Sequence, residues 1–134
     1  METDHVELVV PDRAKAVRWY EAWLGYQAVP EFADWAEHGP LMMSNDGGRT
    51  LLAVFDGGPT KLTHQGGWKR LALRASAAEF SEFGQRFPTT DQSLHGPVDH
   101  DKSWSWYFDD PWGNAWEVTT YDYAEVAAKL RAGE

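Results

Sequence analysis

Glu117 is the most chemically loaded position in this sequence. It stands between Trp116 and Val118, inside the stretch SWSWYFDDPWGNAWEVTTYDY that runs from Ser103 to Tyr123. A carboxylate on an aromatic strand is costly to bury unless a partner answers it. Near the start of the chain, His5 and Glu7 share one parity, opposite Val6, Leu8 and Val10, so both point to the same side of an extended strand. Glu7 is read as an anchor for a cationic ligand or as a solvated residue at the mouth of a pocket. His5 is read as a hydrogen-bonding pocket residue, a structural strand histidine or a ligand. Arg70 and Ala72 alternate with Leu71 and Leu73, and Tyr107 shares parity with Ser103 and Ser105, against Trp104, Trp106 and Phe108. The chain holds eight tryptophans in 134 residues, a surplus that suggests stacking on aromatic ligands or a dimer interface. Trp35, Trp68 and Trp112 fall at strand ends or turns and are the stacking candidates, with Phe32 and Tyr121. A ligand cation over such a ring gains about 0.5–2 kcal/mol. Met42 and Met43 are adjacent, so one of them faces the same side as the pocket residues.

These residues need elements to hold them. His5 to Val10 reads as a strand that Pro11 stops, and Asp12 is a good N-cap for the helix that follows. Val17, Tyr20, Trp23 and Leu24 recur at helical spacing, and Gly25 ends the helix. Strands are expected over Tyr26–Asp34, Gly39–Ser44 and Arg49–Phe55, the last two joined by the turn Asn45-Asp46-Gly47-Gly48. Asp56 to Gly67 has no hydrophobic period and reads as a linker. The pattern then restarts. A strand covers Trp68–Arg74, and Ser76-Ala77-Ala78-Glu79 is a capping box. A helix turns Phe80, Phe83 and Phe87 inward, and a strand lies within Asp91–Val98. The closing hairpin turns at Asp110-Pro111-Trp112-Gly113-Asn114, and a short helix covers Tyr123–Arg131. Trp104, Trp106 and Trp116 are expected to pack under the helices. The order strand, helix, three strands thus occurs twice, which gives an α+β chain. Residues 1–56 form one module, 57–67 a linker, 68–121 a second module and 122–134 a terminal helix. Gly48 precedes Leu52 by four residues, as Gly113 precedes Glu117, which makes Leu52 the expected counterpart of Glu117.

Composition narrows the function. Charged residues make up 25% and hydrophobic ones 43%, ordinary for a globular protein. The net charge of −9 and the lack of any Lys/Arg cluster exclude a phosphate-tracking nucleic-acid binder. There is no cysteine, hence no disulfide or thiolate metal site. No apolar run approaches the ~18 residues of a membrane span, and METDHVELVV has no signal-peptide pattern. A cytoplasmic protein with no membrane or nucleic-acid partner is expected.

Tyr107 to Val118, YFDDPWGNAWEV, resembles the closing hairpin of the vicinal oxygen chelate superfamily, which includes glyoxalase I, extradiol dioxygenases and bleomycin-resistance proteins. DHVELVVPD from Asp4 to Asp12, then AVRWY from Ala16 to Tyr20 and LGY from Leu24 to Tyr26, resembles its first strand and helix. The resemblance covers nearly the whole chain. It implies two βαβββ modules forming a curved mixed sheet, a cup with helices outside, closed within one chain or between two. In metal-dependent members, ligands come from equivalent strand positions inside the cup. Carried over, these fall on His5, Leu52, Arg70 and Glu117. Histidine and carboxylate suit divalent Fe, Mn, Ni or Zn, whereas Leu52 cannot coordinate and Arg70 offers only donors. Arg70 is therefore expected to replace the metal as the counter-charge of Glu117 in a salt bridge, or else to extend to the cup rim. Tyr107 matches a position where extradiol dioxygenases keep a cup-facing tyrosine.

Two functions follow from the resemblance. One is a metal-independent binding protein, like the bleomycin-resistance branch, that sequesters an aromatic or cationic compound such as an antibiotic. Its site would draw on His5, Glu7, Phe32, Trp35, Met42, Met43, Leu52, Trp68, Arg70, Tyr107, Trp112, Glu117 and Tyr121, without a cofactor. The other is a glyoxalase- or dioxygenase-type enzyme acting on vicinal oxygens. Its divalent metal would sit on His5, Glu117 and His100, and Arg70 would then bind an anionic substrate. His100, between Asp99 and Asp101, is otherwise an exposed loop residue. His38, His64 and His95 lie in loop-like contexts. A homodimer is expected, because an open curved sheet leaves edges to cover.

Overall fold

The computed structural model describes residues 2–57 and 70–133. Trp68, His64 and the linker beyond Gly57 lie outside the described residues. The chain divides into two compact units, Met1–Lys61 and Leu62–Glu134. Each is a βαβββ module with its own four-stranded mixed sheet, so the fold class is α+β.

In the first unit the order is β1 (His5–Val10), α1 (Arg13–Leu24), β2 (Gln27–Ala28), β3 (Leu41–Ser44) and β4 (Leu51–Asp56). The sheet runs β1-β4-β3-β2, with β1 parallel to β4 and the other pairs antiparallel. Asp12 caps α1 by accepting from the Lys15 amide at 3.1 Å, and Gly25 ends it at φ 72°, a conformation that costs glycine little. Val10, Met43, Leu52 and Val54 are buried with Ala16, Tyr20 and Leu24 of the helix. Burial and, secondarily, Asp46 push the Tyr26 phenol up to about 12.

The expected strand over Tyr26–Asp34 is only two residues long. From Pro30 to Glu37 the chain forms a 3-10 segment. Pro30 supplies no ladder donor and presets a helical φ, and Phe32 folds back with Val29 onto Met42, Leu51 and Ala53. Arg13 secures this return: its guanidinium donates to the Ala36 carbonyl at 2.7 Å and the Gly39 carbonyl at 2.8 Å.

The second unit comprises β5 (Leu71–Arg74), α2 (Ala77–Arg86), β6 (Leu94–Asp99), β7 (Trp104–Asp109), β8 (Ala115–Thr120) and α3 (Tyr123–Ala132), in sheet order β5-β8-β7-β6. The capping box forms as expected, Ser76 accepting from the Glu79 amide at 3.2 Å and Glu79 from the Ser76 amide at 2.9 Å. Trp106 stacks on Phe80 at 5.3 Å and donates to its carbonyl at 3.0 Å. Gly84 makes room for that indole, since a Cβ there would stand 2.3 Å from Trp106. Trp104 stacks on Tyr123 at 5.4 Å. Trp116 is 1% exposed, on the same sheet face as Trp106 by register. Phe83 stacks on Phe87 and meets Phe108. The closing turn is organised by buried Asp110, which accepts from the amides of Trp112 and Asn114, the Asn114 side chain and the Trp116 indole, at 2.9 to 3.3 Å. Gly113 holds φ 87° within it.

Candidate functional site

With its bulky aromatics turned toward the helices, the second unit presents polar side chains on the other sheet face. Register places Tyr107 opposite Glu117, Ser105 opposite Thr119, and Ala72 beside Glu117. Alternation then puts Arg70 and Arg74 on that face too. The Arg70 guanidinium lies over the Tyr107 ring, 4.6 Å from its centroid. His100 Nε2 is 2.7 Å from the Tyr107 hydroxyl. Buried Ser105 donates to Glu117 Oε2 at 2.9 Å and lies 3.1 Å from Thr119 Oγ1. Arg74 sits over the Tyr121 ring at 4.7 Å. A groove of about 390 Å³ opens here, lined by Arg70 and Tyr107 together with Asp91, Gln92, Ser93, Phe108 and Asp109.

The expected Arg70–Glu117 salt bridge is not among the ion pairs of the described residues. The register supplies the reason. Ala72, not Arg70, stands beside Glu117, and by the same register Arg70 is level with Ala115. Ala115 has only a methyl group, which leaves the path to Tyr107 open. The carboxylate is answered by a serine hydroxyl and the guanidinium by an aromatic ring.

On the first unit, His5 links two carboxylates: Nδ1 is 2.8 Å from Asp4 Oδ2 and Nε2 is 3.2 Å from Glu7 Oε2. These bonds, Asp4 first, hold the imidazole above its ordinary range. Glu7 is thus engaged by His5 in an exposed pair. Met42 shares their face, in register with Ala53 and through it with Glu7. Leu52 and Met43 do not. Leu52 is in register with Val6, and both it and Met43 point into the helix-side core, 1% and 0% exposed. The counterpart of Glu117 is Ala53, the third residue of β4 as Glu117 is the third of β8. The turn before β4 is one residue longer than that before β8, and one residue reverses strand parity.

The stacking candidates differ in access. Phe32 is half-buried against the inner cluster and lies 4.6 Å from Trp35. Trp35 and Tyr121 are 51% and 57% exposed, and Trp112 is half-buried in the closing turn. His95, expected in a loop, lies in β6 in register with Tyr107, the rings 6.3 Å apart. The register shift between His95 and Val98 hides this strand's period, so only the Tyr107 parity pointed toward that face. His100 reaches the face from its loop, as its exposure alone does not reveal. Arg13, on a helix whose pattern concerned only apolar residues, was equally hidden.

Among the described residues no group of three or more His, Cys, Asp or Glu side chains is placed to hold a metal ion. At two of the positions equivalent to the family's ligand positions, the side chains of Arg70 and Ala53 offer no donor atom to a cation.

The model of the Glyoxalase/Bleomycin resistance protein/Dioxygenase superfamily matches residues 2–118, and the chain belongs to this superfamily. No curated protein matches the chain significantly. Among solved structures it is similar to the integron cassette protein HFX_CASS4 from the Halifax Harbour sewage outfall metagenome, at 20% identity and a TM-score of 0.66, covering 89% of this chain and 97% of that one. It is also similar to TnmS3, an antibiotic binding protein from Streptomyces sp. CB03234, at 19% identity and a TM-score of 0.65, covering 91% and 97%. A third is the fosfomycin resistance protein FosX from Listeria monocytogenes, at 14% identity and a TM-score of 0.71, covering 94% and 98%. At these identities the likeness is one of fold. None of the described helices is long and apolar enough to cross a membrane.

Proposed function

We propose that this chain is a metal-independent binding protein that sequesters a small aromatic molecule, an antibiotic being one such class. The observation that carries this is Arg70. Where metal-dependent relatives place a ligand, this chain places a permanent cation, seated on a tyrosine ring beside an open groove. A guanidinium there repels a divalent ion and offers a ligand both charge and donors. The exposed ring of Tyr121, on the same unit, adds flat apolar surface, worth about 0.5–1.5 kcal/mol beyond area burial when stacked. The fold shared with an antibiotic-binding protein and a fosfomycin resistance protein is in keeping with this use. We also propose that the protein is cytoplasmic and works as a homodimer.

The test has two parts. Elemental analysis of untagged protein, after incubation with Fe, Mn, Ni and Zn and desalting, is expected to find no retained metal. Tryptophan quenching by a panel of polycyclic compounds is expected to be the same with and without EDTA. About one metal per chain, with binding abolished by the chelator, would replace this reading with the glyoxalase- or dioxygenase-type enzyme.

A further inference from the structure

We propose that the groove of the second unit takes an aromatic acid, with Arg70 receiving its carboxylate or equivalent anionic group. This rests on the binding reading above and assigns the charge of the ligand. Among the described residues no oxygen accepts from the Arg70 guanidinium, which lies over the Tyr107 ring. A half-buried guanidinium loses part of its hydration, and its fork of donors matches a carboxylate in two parallel hydrogen bonds. The ring contact fixes the guanidinium without supplying an acceptor. Tyr107 is in turn tied to His100 through its hydroxyl. The cation is therefore presented on a braced support at the side of a groove large enough for a two-ring compound.

The two carboxylates that line the same groove, Asp91 and Asp109, are exposed to solvent. Neither forms an ion pair with Arg70. Water screens them strongly, and the half-buried cation less so, so local selectivity follows Arg70 rather than the net charge of the chain. Glu117 forms no ion pair with Arg70 either, and its Oε2 accepts from Ser105. An aromatic cation would meet a like charge where its polar end must settle.

Three probes of one shape and different charge test this: 2-naphthoate, 2-naphthamide and 2-naphthylmethylammonium, titrated calorimetrically in EDTA. Naphthoate is expected to bind at least about tenfold more tightly than the other two, the worth of a charge-assisted hydrogen-bond pair. Arg70→Gln is expected to bring the ratio near one. Arg131→Gln, which removes the same charge from the terminal helix, is expected to leave the ratio unchanged. A readout on the unmodified protein guards against a variant that misfolds: the Arg70 Nε–H resonance is expected to shift on adding naphthoate and not naphthamide. Equal binding of all three probes, or tighter binding of the ammonium, overturns the charge assignment and leaves the binding reading intact. An unchanged ratio in Arg70→Gln, or an unmoved Arg70 resonance, overturns the role of Arg70. Naphthoate binding that appears only after Mn(II) is added overturns both, and so does a failure of all three probes to bind at millimolar concentration.

Discussion

At the scale of residues, the site is made of polar groups answered by unexpected partners. Glu117 invited a cation and received the Ser105 hydroxyl. Arg70 invited a carboxylate and received a ring. His5, read as a hydrogen-bonding residue, a structural histidine or a ligand, joins Asp4 and Glu7. That last arrangement has a measurable consequence. A raised pKa means that the native state favours protonated His5. Its contribution to stability is therefore fully present below about pH 6.5, the unfolded value, and is lost as pH rises through the higher folded midpoint. In an NMR titration, the His5 midpoint is expected above the ordinary histidine value and should fall in Asp4→Asn, since Asp4 is the larger cause. A midpoint unaffected by that substitution would assign the shift elsewhere.

At the scale of elements, the helices and closing hairpin of the second unit followed their sequence closely, while His95 joined β6, and the first unit departed from its sequence over Pro30–Glu37 and in the parity of Leu52. Capping residues, the Phe80–Phe83–Phe87 face and the strand parity of the closing hairpin were all legible, because each is a local pattern with a fixed period. The segment Pro30–Glu37 was not, because a long-range clamp and a hydrophobic cover decide its shape. Arg13→Ala removes that clamp and frees the carbonyls of Ala36 and Gly39. Hydrogen bonds from a charged donor suggest a loss of about 1.5–3 kcal/mol in urea denaturation. Hydrogen exchange should quicken over residues 30–39 while β3 and β4 keep their protection. Uniform exchange across the first unit would show instead that Arg13 supports the whole sheet.

At the scale of the whole molecule, the chain is two modules of one plan with different interiors. The sheet face of the first is closed by its own Phe32 and Val29 over Met42, Leu51 and Ala53. The corresponding face of the second carries Arg70, Tyr107, Ser105 and Glu117 and lies open at a groove. Within their own sheets β1 and β5 are outer strands, which leaves ladder edges of the kind that a second copy covers. The proposed homodimer predicts twice the chain mass in sedimentation velocity over a hundredfold range of concentration. A single species at the monomer mass would overturn it.

The sequence by itself determined the repeated βαβββ order, the family and the side of each strand on which Arg70, Tyr107 and Glu117 stand. Alternation and capping need only neighbours in the chain. Tertiary structure alone decided which of those side chains meet. Register places Ala72 rather than Arg70 beside Glu117, one extra turn residue exchanges Leu52 for Ala53, and a loop brings His100 to Tyr107. A shift of one residue between strands leaves every local pattern intact and moves a side chain to the opposite face or past its partner.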